Sequence, residues 1–325
     1  MITLYFRDQQ SIRAVEIGAQ DTLPPGVLWI DIFNPTLEEE RSIETQLNIQ
    51  IPTKEEVWKN EVLNRLYNDD GVSYMTAAII NKVDSPHPQT SAITFIMAEK
   101  WLVTMRYISP TSFQNYAQRI VRHPQKFTNG AEVLDGLLEE VITRVAHNSE
   151  IVVQELDSLS HEIFGKQRLD SRAENPSQTM KTVLRRLGMC ADLNSKINES
   201  LHSLHRLVNF FRESLPNDKR IKQYARTLNT DIAALSKQTD FLADKITFQL
   251  DATLGMINVE QNQIMKIFSV VSVFLLPPTL IGTFYGMNFE FIPGLHSAHG
   301  YLYAVIAMLW CSALPYIYFR RRGWL

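Results

Sequence analysis

The chain has 325 residues, a formal net charge of −3 and 45% hydrophobic residues. That is length enough for a soluble domain and a membrane segment together, and a balance too close to neutral for a general nucleic-acid binder, which shows a basic face. Two cysteines, Cys190 in a helical pattern and Cys311 in an apolar run, are not placed to meet, which excludes a disulfide framework and a cysteine-built zinc site.

Residues 1–8 lack the basic start, apolar core and small-residue cleavage site of a secretory signal, so the N-terminus is expected to stay unexported. Residues 1–128 read as a cytoplasmic α/β domain: short apolar or alternating stretches near 2–6, 14–17, 27–32, 72–80, 92–98 and 101–105 have the length and β-branched content of strands. Thr36 precedes Leu37-Glu38-Glu39-Glu40, a hydroxyl before an acidic first turn, which predicts a capped helix start. Asn68-Asp69-Asp70-Gly71 predicts a tight turn between two strands.

From Ala131 the pattern changes to long helices, with Val133, Leu134, Leu137, Leu138, Val141, Ile142 and Val145 recurring on one face. A break is expected across 165–176, then a helix over 177–214 that ends before Pro216. A third helix starts near 217, meets no proline or glycine until Gly255 and no stop signal before the membrane, and so runs on as a stalk into the first span; some 65 residues at 1.5 Å each make a rod of roughly 100 Å. Long cytoplasmic helices, stalk included, therefore occupy 129–262. His202 and His205 lie among Leu201, Leu204 and Leu207, the pattern of packed helix rather than of a metal site. With no Gly-rich phosphate loop, no Gly-x-Ser-x-Gly elbow and no His-Glu-x-x-His motif, the sequence argues against an enzyme.

Residues 267–289 are 23 consecutive positions without a formal charge, longer than the roughly 20 apolar residues that carry a helix through a hydrocarbon core. The expected order is a first span at 263–288, an external loop at 289–299, a second span at 300–320 and a basic tail at 321–325. Arg320, Arg321 and Arg322 set the orientation, because basic residues beside a span stay preferentially on the cytoplasmic side. A two-span hairpin then leaves both termini in the cytoplasm, with membrane lipid as a partner.

Along the first span Asn262, Met265, Ser269, Ser272, Leu276, Thr279 and Thr283 recur at spacings of three or four and share one helical face, while Phe268, Val271, Phe274, Leu275 and Leu280 cover the others. Such a face is either a close-packing surface for another membrane helix or the lining of a pore. Pro277 and Pro278 remove two backbone donors in mid-span, which predicts a bend or a flexible point. No Asp, Glu, Lys or Arg stands between Lys266 and Glu290, so an ion would not be stripped onto buried carboxylates there. Neutral oxygens, such as the Asn288 carboxamide and the Gly286 carbonyl, suit a cation that keeps its water shell. Two spans cannot enclose a pore, so several copies would surround one axis, with Met265 and Leu276 as apolar constrictions.

Residues 262–269, Pro277-Pro278-Thr279, Tyr285-Gly286-Met287-Asn288-Phe289-Glu290 and the closing 320–325 resemble the CorA family of divalent-cation channels; the Gly-Met-Asn signature is the specific part. The close likeness covers the chain from Asn262 on, while the preceding part resembles the family in layout. The resemblance implies a funnel-shaped homopentamer of the cytoplasmic (inner) membrane that admits Mg²⁺, and with it Co²⁺ and Ni²⁺, and is gated by cytoplasmic Mg²⁺. It makes Asn288 the selectivity residue, supported by Tyr285, Gly286 and Met287, with Glu290 at the mouth. It also implies regulatory Mg²⁺ between subunits, for which Asp231 and Asp84 are the candidates, since Thr227 stands where a carboxylate is expected. Gly294 departs from the usual loop, where a second acidic residue is common, and His296 and His299 lie nearby. Two other readings stay open: a ZntB-like Zn²⁺ transporter of the same superfamily, and a membrane-anchored coiled-coil scaffold or signalling protein.

Overall fold

The structure, a computed structural model, describes residues 1–53, 66–83, 85, 88–165, 176–214, 219–287, 292–293 and 299–321. The chain consists of two units, Met1–Leu250 and Asp251–Leu325. In the first, strands β1 (Ile2–Asp8), β2 (Ser11–Ile17), β3 (Val27–Phe33), β4 (Leu66–Asp69), β5 (Val72–Asn81), β6 (Gln89–Met97) and β7 (Leu102–Arg106) form one sheet in the order β2-β1-β3-β7-β6-β5-β4. Only β3 and β7 run parallel; the other neighbours are antiparallel. Among the described residues the α-helices are α1 (Leu37–Leu47), α2 (Thr111–Arg122), α3 (Gly130–Phe164), α4 (Pro176–Ser214), α5 (Lys219–Tyr285) and α6 (Gly300–Arg321).

Local chemistry sets several of these boundaries. Thr36 caps α1 in a reciprocal box: the Glu39 N–H donates to Thr36 Oγ1 at 3.3 Å and the Thr36 N–H donates to Glu39 Oε2 at 2.9 Å. Asp70 and Gly71 turn β4 into β5 with φ of 43° and 81°, the pair of positive values that a two-residue hairpin turn of this hand requires. Beyond the last residue of β5 that β4 pairs, α4 covers the strand edge, where the Ala78 N–H donates to Ser203 Oγ (2.9 Å) and Ser200 Oγ donates to the Ala78 carbonyl (2.8 Å).

The sheet is packed on both faces. Leu4, Ile30, Ile32, Val103 and Met105 form one core with Ile43 of α1. On the other face Trp29 stacks on Tyr5 at 4.4 Å and meets Phe113 and Tyr116 of α2. Where β3 and β7 pair in parallel, a polar chain is buried: Trp29 Nε1 donates to Thr104 Oγ1, which donates to Asp31 Oδ1, and Arg106 grips both oxygens of Asp31 at 2.8 to 3.2 Å. The guanidinium also donates to the Ile108 carbonyl and lies 4.6 Å from the Phe33 ring centroid. Removing one partner of a buried pair strands the other, at a cost of roughly 3–5 kcal/mol.

Below the sheet α3, α4 and the first part of α5 pack through the predicted stripe; Val133, Leu134, Leu137, Leu138, Val141, Ile142 and Val145 are all buried. Arg186 of α4 joins Glu155 and Glu162 of α3 at 2.6 and 2.7 Å. Glu132–Arg220 and Asp157–Lys245 link α3 to α5 at the same offset of 88 residues, so those two helices run parallel.

Asp135 of α3 is the carboxylate among several side chains of this layer, Asn148 and Asn194 included, that have a buried oxygen without a hydrogen-bond partner. Burial first, then Glu139 and Glu132, push its pKa from 3.8 up to about 7 against the opposing pull of Arg220 and Arg119. A raised carboxyl pKa means that the folded protein holds the proton more tightly than the unfolded chain. The contribution of Asp135 to stability is therefore full below about pH 4 and is lost as pH rises through about 7. Asp135→Asn should leave the unfolding midpoint of the full chain nearly unchanged at pH 4, raise it at pH 8, and flatten the profile between; equal shifts at both pH values would contradict this.

Candidate functional site

The second unit comprises the C-terminal part of α5 and α6. Both helices are long and apolar enough to cross a membrane. Their large side chains stand outward, with Phe268 65%, Leu280 66%, Leu309 66% and Trp310 65% exposed, an apolar surface of the kind that lipid or another protein covers. Within the unit the helices meet along one seam. A Cβ added at Gly282 would sit 3.5 Å from Met308 Cε, the Phe274 ring lies edge-on to Tyr316 with centroids 6.2 Å apart, and Ser312 Oγ donates to the Phe274 carbonyl at 3.4 Å. Met308, Ser312 and Tyr316 are four residues apart and so occupy one face of α6. Because the later residue of α5 meets the earlier residue of α6, the two run antiparallel.

The predicted stripe lies on the opposite side of α5. Asn262, Met265, Ser269, Ser272, Leu276, Thr279 and Thr283 are all exposed, whereas Val270 is buried and Phe274, Pro277, Pro278 and Ile281 are half-buried. At 3.6 residues per turn, Leu276 points away from the seam that Phe274 faces. The four hydroxyls share one geometry: Ser269 donates to the Met265 carbonyl, Ser272 to Phe268, Thr279 to Leu275 and Thr283 to Thr279, at 2.7 to 2.8 Å. Each hydroxyl uses its single proton on its own helix, so the side it turns outward is a pair of acceptor sites. Such a row accepts hydrogen bonds from the water shell of a cation and offers no donor to an anion. A shallow groove of about 740 Å³ runs along this face, lined by Ser272, Leu276, Thr279, Thr283 and Met287 among others.

α5 closes in a tightened turn. The Gly286 N–H is shared between the carbonyls of Gly282 (3.0 Å) and Thr283 (3.2 Å), and the Met287 N–H reaches Phe284 at 3.3 Å. A Cβ on Gly286 would stand 3.2 Å from the Gly282 carbonyl oxygen, so a side chain there would press on the turn. The last carbonyls of a helix carry its negative dipole end, which favours a cation. Tyr285 packs edge-on to Phe284. Asn288 and Glu290, as well as Asp84, lie outside the described residues. Asp231 is exposed on α5 in the first unit, and among the described residues no group of three or more His, Cys, Asp or Glu is arranged to hold a metal. Sequence reasoning missed Ser312, although it is the one Ser or Thr in α6.

A family model described as CorA-like Mg²⁺ transporter protein matches residues 25–321. The magnesium transport protein CorA of Haemophilus ducreyi is 31% identical over 327 residues, 100% of each chain. Among solved structures, the complete CorA magnesium transporter of Methanocaldococcus jannaschii is similar at a TM-score of 0.77 and 18% identity, with 100% of this chain and 99% of that one covered. The cytoplasmic domain of ZntB from Vibrio parahaemolyticus is similar at a TM-score of 0.57 and 11% identity, over 79% of this chain and 98% of that one. The two structural likenesses concern the fold.

The two faces of α5 differ in a way that thiol labelling reads directly. Single cysteines at Ser272 or Thr279, in a Cys311→Ser background, should react with a charged, membrane-impermeant thiol reagent in liposomes, and one at Ile281 should not. Cys190 can remain, because burial first and then Glu155 push its thiol up to about 11, which keeps it protonated and slow. Equal labelling at 279 and 281 would dissolve the distinction between the faces.

Proposed function

The chain belongs to the CorA-like Mg²⁺ transporter family, and from that premise we propose that five copies surround one axis as a channel admitting Mg²⁺, with Co²⁺ and Ni²⁺ as further ions. The observation that carries this reading is the acceptor-only row on α5, on the side of the helix turned away from α6. Five such rows around an axis make a wet, neutral passage with α6 outside it toward lipid.

Mg²⁺ prefers near-ideal octahedral oxygen coordination and keeps its waters. The ion travels hydrated, its polarised waters donating to the lone pairs of Ser269, Ser272, Thr279 and Thr283. Met265 and Leu276 interrupt the row with apolar rings, which close the path by dewetting when α5 helices approach. At the outer end the Gly286 carbonyl and the Asn288 carboxamide select hydrated divalent ions, with Tyr285 and Met287 holding the loop. A ring of Glu290 carboxylates raises the local cation concentration. Both termini are cytoplasmic, as the arginines at the end of α6 support, and the membrane is the inner one by the family resemblance. The negative ends of the α5 dipoles then sit where the cation enters. Cytoplasmic Mg²⁺ bridging Asp231 and Asp84 between subunits holds the channel shut.

Purified protein in liposomes should take up Mg²⁺ down an inside-negative potential, at a rate indifferent to an imposed pH gradient. Zn²⁺ uptake coupled to protons would replace this reading with that of a zinc transporter, and absence of any flux would favour a scaffold. Asn288→Ala should abolish most flux with the oligomer intact, since ~1–2 kcal/mol of water-mediated stabilisation per subunit adds up around a ring. Asn288→Asp should bind divalent ions more tightly and release them more slowly.

Gating has its own measurement. The double variant Asp84→Asn, Asp231→Asn should raise basal flux and weaken inhibition by cytoplasmic Mg²⁺. Unchanged inhibition would remove both residues from the gate.

A further inference from the structure

Pro277 and Pro278 break the hydrogen-bond ladder of α5 at two consecutive steps, because neither can donate to the carbonyl four residues back. The carbonyls deprived of their helical donors are those of Val273 and Phe274. In hydrocarbon such a group is costly unless a neighbouring helix answers it. One does: Ser312 Oγ of α6 donates to the Phe274 carbonyl at 3.4 Å, the same carbonyl that the residue at 278 would otherwise bond. The contrast with α5 is sharp, since there all four Ser and Thr of the apolar stretch turn back on their own helix. Ser312 reaches across instead of bonding four residues back, and the half-buried contact sits between the Gly282–Met308 and Phe274–Tyr316 approaches.

Resting on the channel reading above, we propose that Ser312 is a positioning residue for conduction: by answering the carbonyl that Pro278 frees, it ties the weak point of α5 back to α6 and holds Leu276 off the ion path. Phe274 and Leu276 are two residues apart on opposite sides of α5, one in the seam and the other 62% exposed on the stripe. A pull on the seam side therefore moves the apolar ring outward. Without the tie, the proline step is free to carry Leu276 toward the axis, and the path dewets more readily.

The test is a double-mutant cycle in the full-length protein, because Pro278→Ala returns an N–H to the Phe274 carbonyl from within α5 and makes Ser312 redundant. Ser312→Ala alone should lower Mg²⁺ flux in liposomes by about threefold to tenfold, the shift in population that one net hydrogen bond supplies. Ser312→Thr, which keeps the hydroxyl, should restore it. In the Pro278→Ala background the Ser312→Ala change should have no effect on flux. A second readout does not depend on transport: with ¹³C=¹⁸O placed at Phe274, the infrared band of that carbonyl should move to higher frequency in Ser312→Ala and stay put when Pro278→Ala is also present. Equal losses of flux in both backgrounds, or a Phe274 band indifferent to Ser312→Ala, would overturn the proposal. A parent protein that carries no ion while the band shifts as described would overturn the channel reading and, with it, the role in conduction, leaving only the tie.

Discussion

A hydrogen-bonding group buried in hydrocarbon without a partner costs several kcal/mol, and the second unit is arranged around that cost. Its two segments are helical because helices bond their backbone internally. The hydroxyls of Ser269, Ser272, Thr279 and Thr283 donate to carbonyls four residues back, which removes the proton that would otherwise need an acceptor and leaves a lone-pair surface on the face away from α6. The prolines breach this economy at one place, and there the second helix supplies a donor. The polar row, the seam and the apolar exterior are thus three answers to one solvent.

The first unit meets the same requirement by other means. Its parallel β3–β7 junction encloses a carboxylate and a guanidinium, and both are held by several partners: Asp31 by Thr104 and Arg106, Arg106 by Asp31 and the Ile108 carbonyl. The fork of the guanidinium matches the carboxylate edge, and the flanking Phe33 and Phe113 rings accept its face. Asp135 shows what happens where this matching is incomplete. Burial, joined by Glu139 and Glu132, outweighs Arg220 and Arg119, and the proton is retained far above the usual carboxylate range.

Much of this was legible in the sequence, for reasons that differ by element. The α3 stripe and the α5 row follow from a 3.6-residue period that a chain cannot show by accident over many turns. The Thr36 cap and the Asp70-Gly71 turn are decided by neighbours a few residues away. The sheet order was not legible, because pairing Asp31 with Thr104 joins strands more than 70 residues apart and no local signal encodes a register of that range. Nor was the Ser312 contact: whether a serine bonds its own helix or a neighbour depends on a rotamer chosen by packing. The Gly-Met-Asn signature was recognised from residue identity alone, and its Asn288 lies outside the described residues.

One consequence of the α5 face concerns what can drive an ion along it. Between Lys266 and Met287 there is no Asp, Glu, His, Lys or Arg: the segment holds serine, threonine, proline, glycine and apolar residues, with Tyr285 at its end. The dipoles an ion would meet have the same strength in acid and in alkali, and no group is present to hand a proton the other way. On the channel reading proposed above, movement along such a face is left to the concentration gradient and to the field, which for a doubly charged ion supplies about 4.6 kcal/mol per 100 mV. A surface that cannot change its charge makes the membrane potential the natural source of work.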